Sequence, residues 1–225
     1  MPLPSGWVIK KVFSRSLGLT WKSLFVTFNF MSLAQSTMSP LGSDMPDFHL
    51  KDIVSGRSVS FEDFEDAKGI CVIFISKHCP YVQHIADKLS EVAKYYEGSG
   101  VSFIAISSND IDEYPEDSPE EMADMAEEYD FVFPILFDET QEVAQDFTAA
   151  CTPDFFLYDS SGKLFYRGQF DGSRPGNKVP VTGGDLRRAI DDLLAGENPP
   201  KEQKPSSGCS IKWKTGNEPP YFLSG

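Results

Sequence analysis

An apolar run that leads to one cysteine and one proline constrains the fold of this chain more than any other stretch. Residues 69–75 read Gly-Ile-Cys-Val-Ile-Phe-Ile, the pattern of a strand covered on both faces. Cys79-Pro80 follows, and apolar residues then recur at helical spacing up to Tyr96. Because proline suits the first turn of a helix, the sequence predicts a buried strand that delivers Cys79 to a helix N-terminus.

Cys79 is therefore a candidate nucleophile. A free cysteine has a pKa of about 8.5, so it is mostly a thiol at neutral pH, whereas the thiolate is the reactive form. Backbone N–H groups and the positive end of the helix dipole favour the thiolate. Lys77 and His78 add positive charge beside it. We expect a lowered pKa for Cys79; the alternative is a buried, inert thiol.

Strands and helices alternate along the rest of the chain. Further strands are predicted as short pieces within residues 47–61, at 101–107 and 133–137, and as a hairpin of 154–159 with 163–169. Further helices are predicted after a capping box at 118–121, over 138–147, and after Thr182 as the capping residue. This order indicates an α/β fold with a mixed central sheet and helices on both faces.

Composition divides the chain into three segments. Residues 1–38 are basic and acid-free, like a transit peptide for a plastid or mitochondrion. Alternatively, residues 23–30 form a weak signal-peptide core, or translation starts near Met31 or Met38; a start near Met31 predicts a cytoplasmic protein. Residues 39–196 are predicted to form the domain. Residues 197–225, rich in Pro, Lys, Ser and Gly, are expected to form a surface tail that carries Cys209.

The charge of the chain narrows its partners. A formal net charge of −14 argues against nucleic acid and anionic membrane surfaces. No apolar stretch reaches the ~18 residues of a spanning helix. Acidic residues crowd positions 110–130, as a solvated face or as a docking surface for a basic partner. The sequence leaves the oligomeric state open.

Five motifs resemble the peroxiredoxin-like branch of the thioredoxin fold, the alkyl hydroperoxide reductase and thiol-specific antioxidant (AhpC/TSA) group. They are MPDFHLKD (45–52), HCPYV (78–82), CTPDFFLYD (151–159), YRGQFDGSRPG (166–176) and GCSIKW (208–213). The resemblance covers residues 39–213 and implies a thioredoxin-like three-layer fold. It also implies that Thr152-Pro153 is the cis-proline loop, packed against the start of the helix that carries Cys79.

The chain departs from both patterns of this fold. Val82 stands where thioredoxins have their second cysteine. Ser76 holds the hydroxyl position of peroxiredoxins, whereas Val72 replaces their proline and Pro153 occupies the place of their arginine. These departures leave open which group resolves Cys79.

Three sources of a resolving thiol are considered. Cys151 lies two residues before Pro153, so its loop would bring it near Cys79. Cys209 lies in the C-terminal tail, and a flexible tail can carry a resolving thiol to a nucleophile. The third source is an external thiol such as glutathione. Cys71, inside the first strand, is expected to be a core residue.

The leading hypothesis is a thiol oxidoreductase with Cys79 as nucleophile, acting by thiol–disulfide exchange or by peroxide reduction through a sulfenic acid. Its expected site residues are Cys79, Cys151 and Cys209 with Ser76, His78, Pro80, Thr152 and Pro153. An external thiol or dithiol of thioredoxin or glutathione type would reset the enzyme.

No metal or organic cofactor is expected, since His78, Cys79 and His84 lack the helical spacing of a metal site. Arg167 and Asp171 are expected to form a structural ion pair. The rival hypothesis is a thioredoxin-fold binding or chaperone-like module with weak or no redox turnover.

Overall fold

Ten strands and four α-helices make up the computed structural model, which describes residues 33–222. The strands are β1 (Leu33–Gln35), β2 (His49–Asp52), β3 (Ser58–Ser60), β4 (Gly69–Phe74), β5 (Val101–Ser107), β6 (Ile135–Phe137), β7 (Cys151–Thr152), β8 (Asp154–Asp159), β9 (Leu164–Gly168) and β10 (Ser207–Ser210). The helices are α1 (Pro80–Tyr95), α2 (Pro119–Glu128), α3 (Glu142–Asp146) and α4 (Gly184–Leu194). Residues 1–32 of the predicted targeting segment, including the alternative start at Met31, lie outside the described residues.

Seven of these strands form the central sheet, in the order β3-β2-β6-β5-β4-β8-β9. β4 pairs in parallel with β5, and β5 with β6, whereas β8 runs antiparallel to β4 and to β9. The predicted mixed sheet is therefore confirmed. The hairpin of β8 and β9 also lies where the sequence placed it.

Alternate side chains of β4 face two separate apolar layers. Cys71 and Ile73 pack with residues of α1, α2 and α4, whereas Val72 and Phe74 pack with residues of α3. All four side chains are almost completely buried, which explains why the run has no polar alternation. The helices lie on both faces of the sheet, as predicted, and Cys71 is a core residue. Within residues 33–222, no helix is long and apolar enough to span a bilayer.

Local signals explain where the helices begin. Pro80 is the first residue of α1, and the Ser118 hydroxyl accepts the Glu121 N–H (3.4 Å) at the start of α2. The prediction for the last helix was off by one residue: the cap of α4 is Gly183, at a left-handed φ of 66°. Thr182 acts one position earlier, accepting the Gly184 N–H at 3.2 Å.

The expected surface tail is wrong for residues 206–211. Strand β10 lies between β1 and β7 in a second, three-stranded sheet, and Cys209 and Ile211 are buried. Gly208 makes this possible, because a Cβ there would lie 2.0 Å from the Thr152 carbonyl oxygen. Strand β1, which pairs with β10, lies before residue 39, where the domain was predicted to begin.

The expected ion pair between Arg167 and Asp171 is also wrong. Arg167 is completely buried and pairs with Asp154 at 3.2 Å, because β9 directs its side chain toward the layer that contains Phe156. Asp171 instead accepts the backbone N–H groups of Thr182 and Gly183, at 2.6 and 2.7 Å. It therefore orders the loop before α4.

Candidate active site

Cys79 is the N-cap residue of α1, five residues after Phe74, the last residue of β4. Its side chain is fully buried, and its Sγ donates to the Thr152 carbonyl oxygen at 3.0 Å. The Thr152–Pro153 peptide bond is cis, as the resemblance implied. The structure therefore brings the strand–cysteine–helix segment and the cis-proline loop together at one sulfur.

Cys209 reaches the same sulfur from the C-terminal strand. It lies directly opposite Thr152 in the antiparallel pairing of β10 with β7, and opposed residues project toward the same face. Its thiol hydrogen-bonds to the Cys79 sulfur. The sequence named Cys209 as one of two candidates in the chain, and the structure places its thiol at Cys79.

Hydrogen-bond donors favour the Cys79 thiolate. Burial raises the pKa of Cys79, but the Cys209 thiol, the Thr152 side chain and the backbone N–H groups of Cys209 and Val82 outweigh it and lower that pKa to about 6. The Thr152 hydroxyl has no other hydrogen-bond partner within residues 33–222, so it is free to donate to a thiolate. The predicted direction of this pKa shift agrees with the structure, but side-chain donors contribute more than the sequence suggested.

The two other candidate thiols differ from Cys79 in the direction of their pKa shift. The hydrogen bond to Cys79, burial and the Cys79 charge together raise the pKa of Cys209. Burial, and then the Asp154 charge, raise the pKa of Cys151 well above its ordinary value. Of these three thiols, Cys79 alone has a lowered pKa.

Cys151 belongs to a different environment. Successive residues of a strand face opposite sides, so the side chain of Cys151 points away from the side that Thr152 shares with Cys209. Its Sγ donates to the Pro153 carbonyl oxygen (3.6 Å), and it is completely buried. Cys151 lies two residues before Pro153, and the Cys79 charge contributes to raising its pKa, but its thiol is engaged with the Pro153 carbonyl oxygen.

Two further site residues, Asp117 and Asn109, were missed by the sequence analysis. Asp117 ends a short 3₁₀ helix, Pro115–Asp117, and is fully buried. Its carboxylate accepts hydrogen bonds from Ser76 Oγ at 3.1 Å, His78 Nδ1 at 2.6 Å and Asn109 Nδ2 at 2.7 Å. Asp117 was grouped with the acidic face of residues 110–130, and only the fold separates it from its solvated neighbours. Ser76 and His78, both expected near Cys79, are held by this carboxylate.

Charge and burial act in opposition on His78 and Asp117. Burial lowers the pKa of His78, but the hydrogen bond and charge of Asp117 outweigh it, so the pKa is raised. Burial raises the pKa of Asp117, and the hydrogen bonds from His78 and Asn109 outweigh that effect, so the pKa is lowered. The pair is therefore stabilised as imidazolium and carboxylate.

His84, the third residue of the metal alternative, lies apart from this network. It lines a small cleft with Tyr81, Pro153 and Arg174. Within the described residues, no group of three His, Cys, Asp or Glu side chains is arranged to hold a metal ion.

The fold and the site define a thioredoxin-fold protein of the thiol oxidoreductase class. The chain belongs to the AhpC/TSA family, whose sequence model matches residues 41–167.

Relatives agree with this assignment. A thiol-disulfide oxidoreductase ResA from Geobacillus thermodenitrificans is 27% identical over 157 residues, covering 70% of this chain and 81% of the relative. An uncharacterised conserved protein of Geobacillus kaustophilus is 50% identical in sequence, with a TM-score of 0.80 over 82% of this chain and 97% of that one. A hypothetical protein of Sinorhizobium meliloti 1021 is 44% identical, with a TM-score of 0.79 over 81% and 99% of the two chains.

Proposed function

We propose that this chain catalyses thiol–disulfide exchange, with Cys79 as the nucleophile and Cys209 as the resolving thiol. The observation that carries the proposal is the pairing of Cys209 with Thr152, whose carbonyl oxygen lies 3.0 Å from the buried Cys79 sulfur. The lowered pKa of Cys79 supports it, because the thiolate is the attacking species. Two relatives named thiol-disulfide oxidoreductases support the same reaction class.

The first step is attack of the Cys79 thiolate on one sulfur of a substrate disulfide. A bond forms between Cys79 Sγ and that sulfur while the substrate disulfide breaks. The other substrate sulfur leaves as a thiolate and takes a proton from solvent. Cys79 is then held in a mixed disulfide, and its negative charge has been transferred to the leaving group.

The second step uses Cys209. In the resting state, the Cys79 hydrogen bond and charge help to hold the Cys209 proton. Once Cys79 is in the mixed disulfide this charge is gone, and Cys209 loses its proton more easily. The Cys209 thiolate attacks Cys79 Sγ, forms the Cys79–Cys209 disulfide and releases the second substrate thiol. The substrate gains two electrons, and an external thiol or dithiol returns two electrons to the protein.

Access to the sulfur requires β10 to move. Cys79 has no exposed surface, and β10 covers it from the side of β7. Only two residue pairs, Cys209 with Thr152 and Ser210 with Cys151, join these strands. A pairing this short separates more easily than the six-residue pairing of β4 with β5.

Disulfide exchange is favoured over peroxide reduction because of the charges around Cys79. Pro153 occupies the place of the arginine that peroxiredoxins put at their cysteine, and the loop presents the Thr152 carbonyl oxygen to Cys79. The Arg167 guanidinium is held in the buried pair with Asp154 and by the Thr148 carbonyl oxygen. These features support a site for a disulfide that presents its own sulfur to the nucleophile.

The proposal is tested by turnover of two substrates with one set of variants. Reduction of a disulfide-bonded peptide, with dithiothreitol as the final reductant, is measured for the native chain, Cys79→Ser and Cys151→Ser. We expect Cys79→Ser to abolish catalysis and Cys151→Ser to retain it. Catalysis that survives in Cys79→Ser contradicts the proposal. Hydrogen peroxide as the alternative substrate separates the reactions, since faster turnover with peroxide refutes disulfide exchange as the main activity.

A further inference from the structure

A fully buried carboxylate that binds the residue preceding Cys79 has no part in the exchange steps described above. Asp117 is 0% exposed, and an unpaired buried carboxylate is costly. Every donor around it comes from a segment that holds a site residue: Ser76 Oγ, the His78 N–H at 3.2 Å and His78 Nδ1 at 2.6 Å, and Asn109 Nδ2 at 2.7 Å.

Through His78, Asp117 is connected to the nucleophile Cys79. His78 precedes Cys79, and both its backbone and its ring donate to Asp117. The ring also stacks on Tyr114, with centroids 5.4 Å apart. The imidazole is therefore held in one orientation, with Nδ1 bound to Asp117, by contacts on its edge and on its face.

Through Asn109, Asp117 is connected to the segment that follows the Cys209 strand. Asn109, whose Nδ2 donates to Asp117, accepts the Lys212 N–H on its Oδ1 at 2.8 Å. The Asp110 N–H donates to the Lys212 carbonyl oxygen, also at 2.8 Å. Lys212 lies three residues after Cys209, so this pair of bonds anchors the end of β10.

We propose that Asp117 is a positioning residue of this site, holding His78 as a cation beside Cys79 and, through Asn109, holding the Cys209 segment against it. The inference rests on the proposed role of Cys79 as nucleophile. Asp117 contacts neither the substrate nor the reacting sulfurs. Its effect is on the charge next to Cys79 and on the local concentration of the Cys209 thiol.

The charges that face His78 determine the direction of the effect. Asp117 and the Cys79 thiolate raise its pKa, whereas burial and Lys212, from the C-terminal segment, lower it. Without the Asp117 charge, burial and Lys212 favour the neutral form of His78, opposed only by the Cys79 charge among these groups. Cys79 then loses a neighbouring positive charge, and its thiolate becomes less favourable.

Asp117→Asn is the variant that tests this role. His78 Nδ1 and Asn109 Nδ2 both donate to Asp117 Oδ2, whereas Ser76 Oγ and the His78 N–H donate to Oδ1. The amide removes the negative charge and replaces one of these two acceptor oxygens with an NH₂ donor. Glu121→Gln is the matched control. It removes a carboxylate from the same acidic region, but Glu121 pairs with Lys77 at 2.5 Å on the exposed side and not with His78 or Asn109.

Two measurements on the reduced, full-length chain do not require turnover. The first is the pH midpoint of Cys79 alkylation by iodoacetamide, followed by peptide mass spectrometry. The second is the rate at which Cys209 resolves the mixed disulfide of Cys79 with glutathione. In Asp117→Asn we expect the midpoint to rise by about one pH unit, a roughly tenfold change in the thiolate-to-thiol ratio. We also expect the resolution rate to fall, because the Cys209 segment is held less firmly against Cys79, and both values to remain native in Glu121→Gln.

A double-mutant cycle separates positioning from a loss of structure. His78→Gln removes the cation at a partly exposed side chain, 15% accessible, and is expected to raise the midpoint by itself. In the double variant, Asp117→Asn should raise the midpoint of Cys79 alkylation little beyond the value in His78→Gln alone, because both changes act through the same cation. Native midpoints in both single variants, or equal shifts in Asp117→Asn and Glu121→Gln, overturn the inference. If Asp117→Asn does not fold, a native midpoint in His78→Gln is sufficient to overturn it.

Failure of this inference is distinguishable from failure of the proposed function. Turnover that survives in Cys79→Ser refutes the function. A native alkylation profile in Asp117→Asn and His78→Gln, with turnover still dependent on Cys79, refutes only the positioning role.

Discussion

Cys209 lies opposite Thr152 in the pairing of β10 with β7, and the Thr152 carbonyl oxygen lies 3.0 Å from Cys79 Sγ. Thr152 is therefore in contact with both segments that carry a sulfur of the site. Its carbonyl oxygen accepts from Cys79 when that thiol is protonated, and its pairing with Cys209 fixes the position of the second sulfur. The position of Cys209 follows from strand pairing and does not depend on a mobile tail.

The first prediction concerns the disulfide that mild oxidation produces. When the reduced chain is treated with one equivalent of oxidised glutathione and its free thiols are blocked, we expect a Cys79–Cys209 crosslink in peptide maps. In Cys209→Ser the reaction should stop at the mixed disulfide of Cys79 with glutathione, because the resolving thiol is missing.

Cys151→Ser is the control for this mapping. Its side chain faces away from Thr152 and Cys209, so the Cys79–Cys209 crosslink should form as in the native chain. A crosslink between Cys79 and Cys151 in the native chain would instead identify Cys151 as the resolving thiol.

The second prediction concerns the pH dependence of alkylation. The pKa of Cys79 is lowered to about 6, so its thiolate is lost as the pH falls through that value. At pH 7 the thiolate fraction is about 30 times that of a cysteine with a pKa of about 8.5. We expect the rate of iodoacetamide labelling at Cys79 to rise with a midpoint near pH 6.

Cys209→Ala should raise this midpoint, because it removes the side-chain donor that contributes most to lowering the pKa of Cys79. Cys209→Ser keeps an O–H donor and should give an intermediate midpoint. An unchanged midpoint in Cys209→Ala would show that the Cys209 thiol does not stabilise the Cys79 thiolate.

Much of the fold was predictable because its signals are local. The run at 69–74 has no polar residue, and Pro80 and Ser118 mark helix starts whatever lies around them. Strand β10 carries no such signal. Its sequence, Ser-Gly-Cys-Ser, resembles a linker, and only pairing with β1 and β7 makes it a strand.

The candidate site was predictable only in part, for the same reason. Cys79 and Pro153 were found from their neighbours in the sequence. The choice between Cys151 and Cys209 depends on which side of β7 each sulfur faces, which is a matter of strand register. Asp117 was hidden in an acidic segment, since burial by the surrounding fold is what distinguishes it from Glu116 and Glu120.

The third prediction tests the fit of β10 against the cis-proline loop. Gly208→Ala places a Cβ at 2.0 Å from the Thr152 carbonyl oxygen, a backbone atom that cannot rotate away. We expect β10 to separate from β7, so Cys79 should label faster and the Cys79–Cys209 crosslink should form more slowly. Labelling and crosslinking rates are measured at pH 8, where the Cys79 thiol is ionised.

Gly172→Ala is a suitable control, because a Cβ at that position meets no atom within 4 Å. Both of its rates should match those of the native chain. Native rates in Gly208→Ala would show that β10 accommodates the methyl group without leaving β7, and the proposed movement of this strand would lose its support.

The fourth prediction concerns stability and compares a buried and an exposed ion pair of the β8–β9 hairpin. Arg167 and Asp154 are fully buried, and Arg167 Nε donates to Ser36 Oγ at 2.8 Å. Lys163 and Asp44 are 46% and 82% exposed. Asp154→Asn leaves a buried guanidinium without its counter-charge and should lower the free energy of unfolding by about 3–5 kcal/mol.

Asp44→Asn should lower the free energy of unfolding by less than about 1 kcal/mol, because solvent screens that pair. Urea unfolding of both variants and the native chain gives the comparison. The Arg167 guanidinium also binds Ser39 and Thr148. If it is displaced, the segment after β1 loses these hydrogen bonds, and β1 pairs with β10, the strand that carries Cys209. Asp154→Asn should therefore also slow formation of the Cys79–Cys209 crosslink. Equally small changes in the free energy of unfolding of Asp154→Asn and Asp44→Asn would show that the buried pair does not hold this segment.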